Sequence, residues 1–272
     1  MIKILLISDL HAGETTDSTN HPGHKRQANS TAVSTLNKYI PKFNEEKYDL
    51  VVNLGDNIRN SSDRENNINN FRESVNVFEQ ITLPKLYIAG NHEYKNMTKE
   101  DVENVLKNSN SNYDKFGIKQ IENIKFIWIN SVLGEKDLAS ISAEILDWLS
   151  KEIFPGDNVV LLSHYSLCPI NEPANFYFGN NPKYMSYENG EQVIEILKRA
   201  NSAITINGHT HMANHKIQGA INSFSIMSFS ENITAMSEVE INPGVYSVLE
   251  IEENQRTLKT FSGEFCILRY EF

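Results

Sequence analysis

The sequence predicts an α/β fold in which two sheets pack together with helices outside. Three observations carry this. Short, nearly continuous apolar runs recur from residue 2 to residue 207, stretches with helical apolar spacing separate them, and from residue 221 the chain turns β-rich. Strands apolar along their whole length belong in sheets covered on both faces. The 272 residues, 40 % of them hydrophobic, suffice for a substantial core.

Each element has its own signal. Residues 2–8 (IKILLIS) read as a buried strand. Residues 27–40 set Ala28, Ala32, Leu36 and Ile40 at helical spacing, with Pro41 expected to stop the run. Residues 49–54 (DLVVNL) form the next strand, and residues 63–80 bring Ile68, Phe71, Val75 and Phe78 onto one helical face. A strand at 85–89 precedes a helix capped by Thr98, with Asp101 three residues on. Strands at 125–130 and 158–163 flank a helix capped by Ser142, whose inner face is Ile145, Leu146 and Leu149. A helix at 190–200 turns Val193, Ile194 and Leu197 inward and leads to a strand at 203–207. Residues 221–229, 244–251, 256–262 and 265–270 read as consecutive antiparallel strands. No linker interrupts the chain, so residues 1–272 are expected to form a single domain, with about 215–272 completing the second sheet.

Composition narrows the function. The longest apolar runs, such as Ile4 to Ile7 and Val159 to Leu162, are too short to span a bilayer. The N-terminal stretch lacks the marks of a signal peptide, so a cytoplasmic location without a membrane partner is expected. Cys168 and Cys266 read as free thiols rather than a disulfide framework. The net charge of -10 argues against a nucleic-acid footprint. It leaves phosphate substrates open, because bound divalent ions reverse the local sign.

Most predicted core strands end in a polar cluster. These read Asp9-Leu10-His11, Gly55-Asp56-Asn57, Gly90-Asn91-His92-Glu93, Ser163-His164 and Gly208-His209-Thr210-His211. Singly, each is an ordinary turn or cap. Jointly they hold five of the chain's 8 histidines. Open α/β folds place ligands beyond the carboxyl ends of their strands, and residues two apart in a strand share a face. Asp9 with His11, and His209 with His211, should therefore converge. Imidazole and carboxylate without thiolate suits Mn, Fe, Zn or Co. Seven ligands (Asp9, His11, Asp56, Asn91, His164, His209 and His211) are reasonable for two ions sharing a carboxylate, and Asp56 is the natural bridge.

These five blocks, in this order, resemble the calcineurin-like metallophosphoesterase superfamily. The resemblance covers residues 9–211, and the β-rich tail looks like the family's closing strands. It implies a four-layer αββα sandwich of two mixed sheets flanked by helices. It also implies two divalent ions: one on Asp9, His11, Asp56 and His211, the other on Asp56, Asn91, His164 and His209. His92 would lie just outside the ions as catalytic residue, an acid toward the leaving oxygen, or else orient a neighbouring ligand. A hydroxide bridging the ions would attack phosphorus. The second block reads GDNIRNS rather than the Gly-Asp-x-x-Asp-Arg-Gly of serine/threonine protein phosphatases. Motif spacing and size look more like the bacterial cyclic-nucleotide and glycerophosphodiester phosphodiesterases. The expected substrate is accordingly a small phosphodiester, with phosphomonoesterase or nucleotide phosphatase as the close alternative. A nuclease is opposed by the charge, and a non-catalytic module by the complete ligand set.

Substrate contacts are read from position alone. Asn57 and Arg59 follow the bridging Asp56, and Arg59 could hold a phosphate oxygen or lie on the surface. Tyr94 follows the third block and could line the rim. His21, His24, Lys25 and Arg26 lie in a polar segment after the first ligands, and residues 165–187 form a long aromatic-rich stretch that could be a lid.

Overall fold

A computed structural model describes residues 1–13, 24–25, 29–107, 109, 114–130, 138–169, 176–230, 232–233, 244–253 and 255–272. The strands are β1 (Ile2–Ile7), β2 (His24–Lys25), β3 (Leu50–Asn53), β4 (Lys85–Tyr87), β5 (Phe116–Ile121), β6 (Ile124–Ile129) and β7 (Asn158–Ser163). They continue with β8 (Ser202–Asn207), β9 (Asn214–Gln218), β10 (Ile221–Ser225), β11 (Asn232–Ile233), β12 (Val245–Ile251), β13 (Arg256–Ser262) and β14 (Phe265–Glu271). The helices are α1 (Ala32–Glu45), α2 (Arg64–Phe78), α3 (His92–Lys95), α4 (Lys99–Leu106), α5 (Ala143–Glu152), α6 (Phe176–Asn180) and α7 (Gly190–Leu197).

Two six-stranded mixed sheets carry the fold, in the orders β14-β13-β12-β1-β3-β4 and β5-β6-β7-β8-β10-β9, while β2 pairs with β11. The burial of β1 shows why its sequence is apolar throughout. Ile4 and Leu6 enter a core shared with Val160 and Ile204 of the second sheet. Leu5 and Ile7 enter a core with Leu36, Phe71 and Val102 of α1, α2 and α4. On the far side, Ile127 and Leu161 pack with Leu149 of α5 and Val193 of α7. Three cores separate four layers, the expected αββα sandwich. No helix among the described residues is long and apolar enough to cross a membrane.

The caps follow the sequence. The Asp63 side chain accepts from Glu65 N and Asn66 N, Ser142 accepts from Ile145 N, and Thr98 with Asp101 forms a reciprocal capping box. Pro41 departs from expectation. It stands inside α1, which runs on to Glu45. Buried Phe43 extends the Leu36–Ile40 face by one turn and stacks on Tyr39, so packing overrides the proline.

The tail also corrects the sequence reading. It does not simply complete the second sheet: β9 and β10 join that sheet, whereas β12, β13 and β14 join the first. Nor is it uniformly antiparallel, since β10 runs parallel to β8. Within the first sheet β12 is buried at every position but one and pairs with β1 and β13 on its two sides.

Candidate metal centre

The predicted residues meet where the carboxyl ends of β1, β3 and β4 in one sheet face those of β7 and β8 in the other. Asp9, His11, Asp56, His164 and His211 are buried, and Asn91, His92 and His209 are half-buried. Three overlapping groups (Asp9, His11 and His211; His11, Asp56 and His92; Asp56, His164 and His209) each gather one ligand atom per residue within 4.8 Å of the others. His211 Nε2 lies 3.2 Å from Asp9 Oδ1 and 3.0 Å from His11 Nε2. Asp56 Oδ2 stands 3.1 Å from His164 Nε2 and 3.8 Å from His11 Nε2, which puts this carboxylate between the two halves of the cluster.

Asp9 and His11 converge as expected, His209 and His211 fall in different groups, and the cause is not strand alternation. Asp9, His11, Asp56, His209 and His211 have φ of 56°, 46°, 54°, 65° and 56°. Among the described residues, the only other non-glycine with positive φ is Glu122. Left-handed backbone at non-glycine residues costs of order 1–3 kcal/mol each and persists only where the surroundings impose it. Here the loops impose it on each other. Asp9 N donates to Gly55 O, His11 N to Asp56 O and Ala12 N to Asn57 O, at 2.8–2.9 Å. Two motif glycines are steric necessities. A β-carbon at Gly90 would fall against the Asp56 carboxylate, and one at Gly208 against Ser8 Oγ and Asp9 Oδ2.

Partners behind the cluster orient it. Asp9 Oδ2 accepts from Ser8 Oγ at 2.5 Å and from His209 N at 3.0 Å, leaving Oδ1 toward the histidines. His92 N donates to Asp56 Oδ1 at 2.8 Å. His164 Nδ1 donates to Leu54 O at 2.8 Å, so Nε2 is the nitrogen turned toward Asp56. His209 Nε2 donates to Tyr184 O at 2.7 Å, so there the lone pair is on Nδ1. Glu93, fully buried, accepts from Asp56 N at 3.1 Å, Asn57 N at 2.5 Å and Gly90 N at 2.7 Å, tying the second block to the third. Sequence reasoning gave Glu93 no role, although it lies in the quoted third block. It also missed Ser228 and Ser230, which hold the carbonyls of Asp9 and Leu10.

Carboxylates and imidazoles of the cluster shift one another's protonation. Burial opposes charge on Asp9, yet His211 and His11 hold its carboxyl well below the usual range. Asp56 is likewise lowered, against burial, by His164 and His92. Burial also opposes charge on His164, but Asp56 lifts it to about 9. Burial and then the charge of His164 bring His209 down to about 4, and burial brings His92 down to about 3. Glu93 is raised by burial and by the charge of Asp56. Asn91 Oδ1 is buried without a hydrogen-bond partner among the described residues. An orphaned amide oxygen beside carboxylates and imidazoles fits divalent ions well.

The expected substrate contacts fare differently. Asn57 is buried: its Oδ1 accepts from Asn53 Nδ2 at 2.6 Å and its Nδ2 donates to Glu93 Oε1 at 3.2 Å, so its amide is engaged inside the protein instead of facing substrate. Tyr94 is half-buried and packs against the helical core. Arg59 is half-buried, with its backbone N donating to Ala12 O at 2.9 Å. His24 and Lys25 are described only as a strand, while His21, Arg26 and residues 170–175 lie outside the described residues.

The sequence profile of the calcineurin-like phosphoesterases matches residues 2–213. The chain belongs to that family. As a calcineurin-like phosphoesterase it shares its fold with a dimetal phosphatase from Danio rerio (TM-score 0.72, 14% identity, 95% of each chain covered). A purple acid phosphatase from yellow lupin seeds gives a TM-score of 0.66 at 11% identity, over 99% of this chain and 53% of that one. GAP50, the anchor in the inner membrane complex of Plasmodium, gives 0.60 at 14% identity, over 100% and 88%. Identities this low show the fold alone. No curated protein matches the chain.

Proposed function

We propose that this calcineurin-like phosphoesterase hydrolyses a small phosphodiester, of the cyclic-nucleotide or glycerophosphodiester type, at a pair of divalent ions. Its motif spacing and size support the bacterial small-phosphodiesterase branch. The observation that carries the reading is Asp56, whose carboxylate joins the cluster with His11 to the cluster with His164 and His209. Asp9, His11, Asp56 and His211 would hold one ion, and Asp56, Asn91, His164 and His209 the other, drawn from Mn, Fe, Zn and Co.

When bound, such a pair supplies Lewis acidity at phosphoryl oxygens and water acidified to near neutrality as the nucleophile. The chain's residues do the rest. The His92 backbone N–H fixes the Asp56 carboxylate from one side, and the imidazoles face it from the other. The His92 ring stands edge-on to His11 at 4.6 Å, which supports hydrogen-bond donation from the neutral ring to the leaving oxygen. Glu93 and Ser8 are positioning residues that hold the bridging and flanking carboxylates' loops.

The test is a panel of aryl diesters, cyclic nucleotides, glycerophosphodiesters and phosphomonoesters, assayed with Mn, Zn, Fe and Co separately. Diester turnover that disappears on chelation, and in Asn91→Ala, is the expected result. Turnover that survives thorough metal stripping sinks the metal reading. Turnover confined to monoesters sinks the diester assignment.

A further inference from the structure

Between β7 and α7 the chain makes an excursion closed at its neck beside the ligand His164. Ser166 and Ser186 form a parallel bridge, and Tyr187 N donates to Ser166 O at 3.0 Å. The returning half, α6 and the 3-10 turn Pro182–Tyr184, is a chain of tight turns. Asn181 N bonds Phe178 O, Tyr184 N bonds Asn181 O and Met185 N bonds Pro182 O, each at 3.1 Å. Its apolar anchor is separate from the three main cores: buried Phe178 and Met185, with Tyr184 and Met212 packed against them.

This small cluster sits against a metal ligand. The Phe178 ring lies 5.1 Å from the His209 ring, and Tyr165 flanks the same imidazole at 4.1 Å. The Tyr184 carbonyl accepts a hydrogen bond from His209 Nε2 at 2.7 Å. A histidine ligand needs one tautomer and one ring orientation, and the partner of its other nitrogen selects both. For His209 that partner is a main-chain carbonyl on the excursion, so the selection depends on where the excursion is held.

We propose that residues 178–185 are a positioning element for one of the two ions. Phe178 anchors the turn so that the Tyr184 carbonyl fixes His209 as the Nε2–H tautomer, presenting Nδ1 toward the ion shared with Asp56, Asn91 and His164. The inference rests on the metal reading above. Ion binding at that site and the order of the excursion then stabilise each other, because such coupling is reciprocal. The ion on Asp9, His11 and His211 should keep its affinity. Losing an outer-shell partner costs about 10–100-fold in metal affinity, and the loss here falls on one site of two.

The experiment titrates Mn2+ calorimetrically into the metal-free full-length chain, as wild type, Phe178→Ala and Phe178→Leu, each well below its unfolding temperature. The wild type is expected to bind two ions. Phe178→Ala should keep one at wild-type affinity and bind the other about 10-fold or more weakly, with Phe178→Leu between. In nitrogen-15 spectra of the metal-free chain, His209 should be the Nε2–H tautomer in wild type and a tautomer average in Phe178→Ala. Two wild-type sites in Phe178→Ala, equal weakening of both sites, or an unchanged His209 tautomer each overturn the proposal. If Phe178→Ala does not fold, Phe178→Leu decides by the same criteria. A wild type that binds no Mn2+ fails the metal reading itself, whatever the variants do.

Discussion

A β-carbon on residue 90 would press on the Asp56 carboxylate, with Asp56 N only 2.7 Å away. Gly90→Ala should therefore leave the circular-dichroism spectrum near wild type while displacing the bridging carboxylate. Turnover should fall about 100-fold, the usual penalty for a displacement of about 1 Å. A wild-type rate would mean that Asp56 is not held by this contact. His92 tests the neighbouring position. It shares a cluster with His11 and Asp56, so ligand and proton donor are both geometrically open to it. As a donor outside the ions, His92→Ala should lose about 10²–10⁴ in kcat and keep its full metal content. Metal lost in parallel with activity would make it a ligand. The residues of the candidate cluster were legible in the sequence, because each lies just beyond an apolar run of strand length. Asn57 was misread because a polar residue after Gly-Asp carries no mark of its direction, and only the Asn53 and Glu93 bonds reveal it turned inward. The Tyr184 carbonyl was invisible for a simpler reason: a main-chain acceptor has no side-chain signature.

Helix caps were the most readable elements, since their chemistry is local. Thr98 Oγ1 accepts from Asp101 N at 3.2 Å, and Asp101 Oδ2 accepts from Thr98 N at 2.8 Å. Arg64 Nε donates to the same carboxylate at 2.9 Å, which links α2 to α4. Thr98→Ala should cost about 1 kcal/mol in urea unfolding at neutral pH. Its partner adds a pH signature. The Thr98 backbone N–H, then the Thr98 hydroxyl and Arg64, hold the Asp101 carboxyl below its usual value. A depressed carboxyl contributes stability above the unfolded value of about 3.9 and loses it as pH falls through the folded value. The stability gap between wild type and Asp101→Ala should therefore be present at pH 7 and shrink as pH drops below about 4. A gap independent of pH would show that the carboxylate's charge contributes nothing. The edge strands β5 and β9 escaped the sequence reading, whereas the edge strand β14 was legible from its apolar run at 265–268. The residues of β5 and β9 are exposed or half-buried throughout, and polar or charged residues break up their apolar ones.

At the scale of the whole molecule, the division of the tail between the sheets was not legible, because strand partners such as β1 and β12 lie about 240 residues apart and no local signal specifies the pairing. That division matters to the site. β12 flanks β1, which delivers Asp9 and His11, while β10 flanks β8, which delivers His209 and His211. The two sheets share one apolar core, and at their carboxyl ends they also share the candidate cluster. An ion held by ligands of both sheets binds the folded chain and not a chain in which either sheet has opened. By mass action, Mn2+ at about 100 times its dissociation constant should add about 2.7 kcal/mol per site. For a chain of this size each kcal/mol moves the midpoint by about 2–4 °C. The expected result is a rise of several degrees in Tm on adding Mn2+, reversed by chelator. His209→Ala and His11→Ala, one from each sheet, should each reduce it. A loss of the metal-induced rise confined to one of these variants would place the ions on a single sheet, and a midpoint indifferent to chelation would remove the shared site altogether.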